Sequence, residues 1–510
     1  MQWHDNPTLA LLETHAEPET VASDLILARQ AQPGWAAQSV RQRLRIIRRV
    51  RHLVAEQALS LAQTVARVTQ RSPAETLVAE ILPLADACRF LEREAAHLLK
   101  PQRLSAWSRP FWLTGIKAEI HREPLGVVLL IAPSNYPLFL AGVQLLQALT
   151  AGNAVLLKPG DGTSAAAVAL TRICSAAGLD PRLLRVLSEP PASVQEAIAA
   201  GVDKVVLTGK AATGAAVLAE LAPHLTPATL ELSGCDAAFV REDADVDLAA
   251  NALQYSLRLN GGATCIAPRR VFVARTLANA LATRLTSFVQ QLPPSPIAPA
   301  TCSRVQHLVA EACSQGARRL TGTDGPHGTV TAMTPIIVAD AEPTMRLLQE
   351  EVFAPVLALV SVEDDAEALR AANGCPYALG TTIFGQADTA RRLAQRVRAG
   401  VVVINDVIVP TADPRLPFGG RGRSGYGVTR GAAGLLELTA IKAITTRAGR
   451  WRPHYEPLKL GDESLLQTYI AAVHAASWRQ RALAWVACGR ALMARSRRGL
   501  HAHAEDQSCA

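Results

Sequence analysis

The sequence predicts an α/β protein with a doubly wound parallel sheet, followed by a second α/β stretch. Three observations carry this. From Pro124 onward, short β-rich apolar runs alternate with helical stretches, the pattern of a parallel sheet covered by helices on both faces. Residues 125–157 contain no charged side chain, as fully buried strands and helices require. Hydrophobic residues make up 49% of the 510 positions, enough for a large core and against disorder over most of the chain.

The elements follow in order. Residues 1–35 are polar and mixed, without a period, and read as a loosely held arm; the first segment is taken as 1–38. From Ser39 to Lys100 the pattern is helical. There Arg41, Arg43, Arg45, Arg48, Arg49 and Arg51 crowd one helix, while Val40, Leu44, Ile47, Val50 and Val54 recur at helical spacing. This is a solvated basic face on a core-packing helix. Despite a net charge of +8, no zinc-finger spacing or RNA-binding aromatic motif is present, so no nucleic-acid partner is expected. GVVLLIAP reads as a strand, 138–149 as a helix, AVLLKP as a strand and 165–177 as a helix. LLRVLS (strand), 193–200 (helix), KVVLTG (strand) and 211–221 (helix) complete the first sheet. Ligands of such sheets sit beyond the carboxyl ends of the strands, where Pro133, Lys158 and Gly209 fall. The uncharged stretch is no membrane span. Pro133, Ser134, Asn135, Pro137, Gly152 and Asn153 interrupt it, and a span needs roughly 20 apolar residues in a row.

The second α/β stretch runs from 231 to 420, and GAAGLLELTAIKAITT, within 421–449, reads as a helix and then a strand. Past Arg450 a proline-broken connector leads to a basic, tryptophan-bearing helix at 465–498. The segments are thus 1–38, 39–230, 231–420, 421–449 and 450–510. The nine cysteines are scattered and form no CxxC pair. With no signal peptide visible, they point to a reducing cytoplasm and to no metal clamp.

Candidate chemistry starts at Cys265, set among small residues in NGGATCIAP. It reads as an accessible nucleophile on a loop whose glycines admit a substrate, although a lone cysteine is usually an inert core residue. Asn135 in PSNYPL stands at a strand end, where its amide suits an oxygen gaining charge; alone, it is more often a turn asparagine. Lys158 and Asp161 in LLKPGD suit ribose hydroxyls or phosphate, or are solvated loop charges. Gly209, Lys210 and Gly214 surround a helix start that attracts pyrophosphate, one glycine short of the usual fingerprint. Glu231 in TLELSG lies among apolar residues that raise a carboxyl pKa towards neutrality and suit a general base; a turn-capping glutamate is the alternative. Glu351 and Phe353 in QEEVFAPV are a ribose and nicotinamide contact, or an exposed acid and a core aromatic.

Together, PLGVVLLIAPSNYPL, AGNAVLLKP, TPATLELSG, GATCIAP, QEEVFAPV and LPFGGRGRSGYG strongly resemble the aldehyde dehydrogenase superfamily, and within it the class 3 branch of fatty-aldehyde and coniferyl-aldehyde enzymes. The likeness spans residues 41–446. It implies a cofactor domain on the parallel sheet, a catalytic domain, and a bridging and oligomerisation arm that pairs subunits into a homodimer. It also implies NAD or NADP as cofactor and a small-molecule aldehyde, oxidised to the acid through a thioester, as substrate. By position, Cys265 matches the nucleophile, Glu231 the general base and Asn135 the oxyanion donor. Lys158 and Glu351 match the ribose pair, with Phe353 beside the nicotinamide. Departures are Ala263 for the usual Gln, Ser233 and Cys235 in ELGGK, Asp161 in KPSE, Lys210 after Thr-Gly, and Ala354 in FGPV. They bear on cofactor preference and efficiency, not on the reaction type. Competing readings are an acyl-CoA-linked reductase, which generally lacks the hydrolytic glutamate, and an idle membrane-associated structural subunit.

In the tail, at about 100° per residue, Trp485, Val486, Leu492 and Met493 share one side, with Ala482 and Gly489 between them. Arg479, Arg481, Arg490, Arg495, Arg497 and Arg498 lie mostly around the remainder, and Leu483 breaks the pattern. Such a strip suits a helix lying in a bilayer interface, or one packing on its own dimer. The first option places the enzyme peripherally on the inner membrane face with a lipophilic aldehyde as substrate.

Overall fold

The computed structural model describes residues 20–322, 332–450, 452–459 and 461–506. The chain forms two compact units. One holds the described residues up to Leu104 together with Ala118–Ile444, the other Ser105–Lys117 with the described residues from Thr445.

Helices α1 (Val21–Ala36), α2 (Val40–Glu56), α3 (Ala58–Thr69) and α4 (Leu82–Leu98) open the first unit, with a π-helical turn at Leu77–Ile81 before the last. The loosely held arm does not extend to residues 21–36. Val21, Leu25, Ala28 and Trp35 of α1 are buried, and Thr20 accepts from the Ser23 amide to cap the helix. Residues 1–19 of that arm lie outside the described residues. In α2 the capping box Ser39/Gln42 fixes the start, and Leu44, Ile47, Val50 and Val54 are buried as their spacing predicts. Its basic face is not wholly solvated, because Arg43 is buried.

The first sheet contains β1 (Val127–Ile131), β2 (Ala154–Lys158), β3 (Leu184–Val186), β4 (Lys204–Gly209) and β5 (Ala228–Leu232). They lie parallel in the order β3-β2-β1-β4-β5. Helices α5 (Phe139–Ala151), α6 (Ser164–Ala176), α7 (Ala192–Ala199) and α8 (Ala211–Leu221) connect them. The order reverses between β1 and β4, which opens a crevice at their carboxyl ends.

Every residue of α5 is buried, so its end groups need protein partners. At its start, Glu80 Oε2 accepts from the amides of Leu138 and Phe139 at 2.7 and 3.0 Å. At its end, Trp35 Nε1 donates to Leu149 O at 2.8 Å and Arg43 Nε to Thr150 O at 3.0 Å. Gly152, in the left-handed region, closes the helix. Glu80 in turn pairs with Arg71, and both side chains are buried.

The second sheet holds β6 (Asp236–Val240), β7 (Pro268–Ala274), β8 (Arg318–Arg319), β9 (Ile336–Ala339), β10 (Val356–Val362), β11 (Gly380–Phe384) and β12 (Val401–Ile404). The order is β8-β9-β10-β7-β6-β11-β12, antiparallel only at β8. Alternate residues feed two cores: Phe239, Phe272 and Ala358 enter one, Ala238, Val271 and Leu357 the other. Among its helices are α9 (Val246–Arg258), α10 (Arg275–Val289), α11 (Pro299–Ser314), α12 (Asp365–Asn373) and α13 (Ala387–Ala394). The chain then returns to the first sheet. β13 (Gly425–Tyr426) pairs antiparallel with β5, placing Gly425 opposite Glu231, and α14 (Gly431–Glu437) packs on α5. A separate three-stranded sheet joins Gln102–Arg103, Ile116–Pro124 and Thr439–Arg447.

In the second unit the expected helix at 465–498 is two helices, α15 (Asp462–His474) and α16 (Trp478–Asp506). Ala475 turns extended, and Ser477 and Gln480 cap one another reciprocally. Trp485 meets the edges of Phe111 and Tyr469 at 6.2 and 5.9 Å.

Glu80→Ala strands the Arg71 charge and two helix amides in the interior. It is expected to lower unfolding stability by roughly 3–5 kcal/mol, read by chemical denaturation. The double change Arg71→Met/Glu80→Leu, which removes both charges, should cost clearly less. Equal losses would show that the unpaired charge is not the dominant cost.

Candidate active site

The loop before Cys265 is built to bring backbone close to its surroundings. Asn260, Gly261 and Gly262 all have positive φ. A Cβ on Gly262 would lie 2.8 Å from the backbone of Pro355, so only glycine fits. Arg269, buried on β7, donates to Gly262 O and, at 2.7 Å, to Ala354 O, tying this loop to the segment that carries Glu351 and Phe353.

The turn after β1 is bonded directly to the same loop. Asn135 Nδ2 donates to Ala263 O at 3.0 Å, and Asn260 Nδ2 donates back to Asn135 O at 3.0 Å. The Tyr136 hydroxyl and Thr264 Oγ1 lie 2.6 Å apart. The Arg71 guanidinium, 5.0 Å from the Tyr136 ring centre, backs this contact. Asn135 and Cys265, distant in sequence, are thus brought together by a closed hydrogen-bond circuit.

Glu231 is the penultimate residue of β5, within its buried run. Thr429 Oγ1 donates to its Oε2 at 2.7 Å, while Oε1 is buried and lacks a well-formed hydrogen bond among the described residues. Burial raises its pKa; Arg430, Thr429 and Gln144 pull the other way. Cys265 is partly exposed. Its thiol is pushed up by burial and by the Glu231 and Asp236 carboxylates, with Arg430 opposing.

Cys265 and Glu231 line one cavity of about 430 Å³. Its walls are mainly apolar, including Val78, Leu140, Leu259, Ile408, Val409 and Phe418, with Tyr136, Tyr255 and Thr264 among the polar contributors. Arg430 also lines it.

The remaining expected residues gather at the strand ends. Lys158, the last residue of β2, is buried and reaches Asp161 Oδ1 at 3.3 Å. Asp161 is 91% exposed, so the bridge is weak. Gly209 ends β4, and Lys210 stands exposed at the N-cap of α8. A Cβ on Gly214 would meet Leu232 Cδ1 at 2.8 Å, so glycine sets the close approach of α8 to β5. Lys210, Glu351 and Phe353 line a second cavity of about 150 Å³ with Arg304. Glu351 is raised by burial and lowered by the Ala211 amide at the start of α8 and by Lys210; its Oε2 is buried without a partner among the described residues.

An acceptor of that kind beside a free helix N-terminus fits a ribose hydroxyl next to a pyrophosphate, so these residues suit a nicotinamide dinucleotide. Among the described residues no His, Cys, Asp and Glu cluster suits a metal ion.

Several residues escaped the sequence reading. Glu189 accepts from the amides of Gly162 and Ser164 and from the Ser164 hydroxyl at 2.6–2.9 Å, and these bonds, the hydroxyl's first, hold its carboxyl down at about 2. No motif marks it. Tyr136 and Thr264 adjoin Asn135 and Cys265, a signal that was present. Arg430 had none.

The aldehyde dehydrogenase family profile matches residues 10–444. Relatives include a 4,4'-diapolycopene aldehyde oxidase of Methylomonas sp, 30% identical over 481 residues, covering 89% of each chain. A succinate-semialdehyde dehydrogenase [NADP(+)] of Deinococcus radiodurans is 31% identical, covering 84% of this chain and 90% of its own. Among solved structures, the Mycobacterium tuberculosis aldehyde dehydrogenase complexed with NAD+ superposes with a TM-score of 0.79 at 26% identity, covering 85% of this chain and 92% of that one. With a catalytic-type cavity, a doubly wound sheet and a match across most of its length, the chain belongs to the aldehyde dehydrogenase family, oxidoreductases that act on aldehydes.

Proposed function

We propose that this protein oxidises a lipophilic aldehyde to its carboxylic acid with NAD(P)+, through a thioester on Cys265. The observation that carries the reading is the convergence of Cys265 and Glu231 on one apolar cavity, with Asn135 bonded to the residue two before the nucleophile. The Cys265 thiolate attacks the aldehyde carbon. An amide has two N–H donors; one on Asn135 is used by Ala263, and the other serves the oxygen that becomes negative. Bound NAD(P)+ supplies the hydride acceptor. Lys158, Glu351 and the start of α8 hold its riboses and phosphates, with Phe353 against the ring. Glu231 then takes a proton from water, whose oxygen attacks the thioester and releases the acid and the Cys265 sulfur.

Cys265→Ala is expected to abolish aldehyde oxidation while the fold persists, because no hemithioacetal forms. Glu231→Gln should release about one equivalent of NADH and then stall, the thioester lacking its base. Steady turnover by either variant would refute the role assigned to that residue. Rapid thioester release to an added thiol by the Gln variant is compatible; rapid release to water is not.

The substrate class rests on the aliphatic and aromatic lining of the cavity, supported by a relative named for a polyene aldehyde. For the cofactor, the exposed Lys210 at the start of α8 adds positive charge near the phosphates, and the short Asp161 leaves room at the adenosine ribose. Across aldehydes from short aliphatic to long polyene, kcat/KM should rise with chain length, and both cofactors should serve. A flat length profile overturns the lipophilic assignment. An NAD+ preference above about a thousandfold, roughly 4 kcal/mol, overturns the dual-cofactor assignment.

For the tail, the support is exposed apolar surface in the second unit. Trp107, Trp112, Trp478, Leu483, Val486 and Met493 are each more than half exposed, beside Arg479, Arg481 and Arg490. Among the described residues no helix is long and apolar enough to cross a membrane. A tryptophan-rich surface with basic neighbours suits the bilayer interface instead. Full-length protein should sediment with anionic liposomes at low salt, and a chain ending at residue 460 should not, while keeping activity on a small aldehyde. Full-length protein that ignores such liposomes removes the membrane assignment.

A further inference from the structure

Arg430 follows β13 and enters the aldehyde cavity beside Phe418 and Phe139, which line it too. The side chain is buried, and the guanidinium stands over the Phe418 ring at 4.1 Å and the Phe139 ring at 5.8 Å. Nη1 donates to Thr411 O at 2.9 Å, and Nε is buried without a partner among the described residues. The Arg430 amide donates to Gln147 on α5 at 3.3 Å. The backbone holds Arg430 at φ 62°, a conformation that a non-glycine residue keeps only where its surroundings impose it.

A buried cation with no bonded carboxylate is costly to keep. It shares the cavity with Cys265 and Glu231, which carry negative charge during the reaction, and with the half-buried Glu75 and the exposed Arg258. Cys265, Glu231, Arg430 and Tyr136 line the cavity together, and Thr429 donates to Glu231; Asp236 and Arg269 act electrostatically on Cys265 as well, and Gln144 on Glu231. Of the other two arginines, Arg258 is exposed and Arg269 is committed to the carbonyls of Gly262 and Ala354. Arg430 is buried and lines the cavity with both anionic centres.

We propose that Arg430 is a positioning residue, the resident counter-charge that lets Cys265 and Glu231 work as anions inside an apolar cavity. It acts through those two groups. The Thr429–Arg430 segment delivers both a hydrogen bond to Glu231 and a positive charge beside it. The sign follows from its direction of action. Arg430 favours the anionic form of both groups, so its removal moves the acid limb of activity, and the onset of thiolate reactivity, to higher pH.

This inference rests on the aldehyde-oxidation reading above, and its main test needs no substrate. Alkylation of Cys265 by iodoacetamide is followed against pH by peptide mass spectrometry, in the full chain and in R430M, R430Q and R430K. Alongside run circular dichroism, thermal unfolding and the pH profile of kcat. The neutral variants should show alkylation onset and acid limb raised by about one pH unit, so that Cys265 reacts about tenfold more slowly at a fixed pH on the limb. R430K should keep the onset of the parent. Onsets that coincide across the folded variants overturn the proposal, as does an R430K shifted as far as the neutral pair. A parent protein that forms no NADH with any aldehyde counts against the proposed function, and the alkylation profile still decides the role of Arg430.

Discussion

The burial of α5 is the constraint on which the site depends. A helix with no solvent-facing residue must have its end groups satisfied by the protein, and here the N-terminal helices do so. Glu80 takes the amides at its start, while Trp35 and Arg43 take carbonyls at its end. The same helix reaches the chemistry from both sides. Its leading turn carries Asn135 and Tyr136, bonded to the Cys265 loop. From its interior, Gln144 holds Thr208 near Glu231, and Gln147 grips Arg430 and Gly431. The Cys265 loop, the Asn135 turn and Glu231, the proposed nucleophile, oxyanion donor and general base, are therefore registered against one helix, as a reaction sensitive to small displacements demands.

The second organising fact is electrostatic. Apolar walls that suit a lipophilic chain also penalise charge, and both Cys265 and Glu231 have their acidities weakened by burial. A raised glutamate is useful to a base working near neutrality, whereas a raised thiol is a handicap to a nucleophile. Desolvation is the largest influence on both, so any correction must come from fixed charge close by. On the proposal above Arg430 gives it, and the Phe418 and Phe139 ring faces stabilise its positive charge inside the cavity.

What the sequence disclosed follows from how local each feature is. The strands were legible because five-residue apolar runs such as VVLLI and AVLLK have to be buried on both faces. Short motifs singled out Cys265, Asn135 and Glu231, of which Cys265 and Glu231 line one cavity and Asn135 bonds to the loop before Cys265. The α1 helix was not: its buried Val21, Leu25, Ala28 and Trp35 are diluted by polar neighbours and by Pro33, so composition alone reads as an arm. Arg43 looked like one more solvated arginine, because the carbonyl that draws it inside, Thr150 O, lies 107 residues away, although it also donates to the nearby Ala36 and Gln38 carbonyls. Thr429 reaches Glu231 across 198 residues, and nothing in either local stretch announces the meeting. The break between α15 and α16 is a different kind of case, since Ser477 and Gln480 stand at capping-box spacing and the signal lay within a run of helix formers.

Substrate choice and catalytic power are coupled in such a cavity. An apolar aldehyde that fills it expels water, and every charge left inside then interacts more strongly with its neighbours. Attraction between Arg430 and a Cys265 thiolate grows under those conditions, as does the penalty on Glu231 until it takes up its proton from water. A short, polar aldehyde leaves the cavity wetter and both effects weaker. On the proposed function, binding of the long chain is thus converted into rate at the carbonyl, and lipophilic aldehydes gain in kcat as well as in KM. The cost is borne by the fold, which keeps a buried arginine and a buried glutamate oxygen without full hydrogen bonding and holds them with the packing around α5.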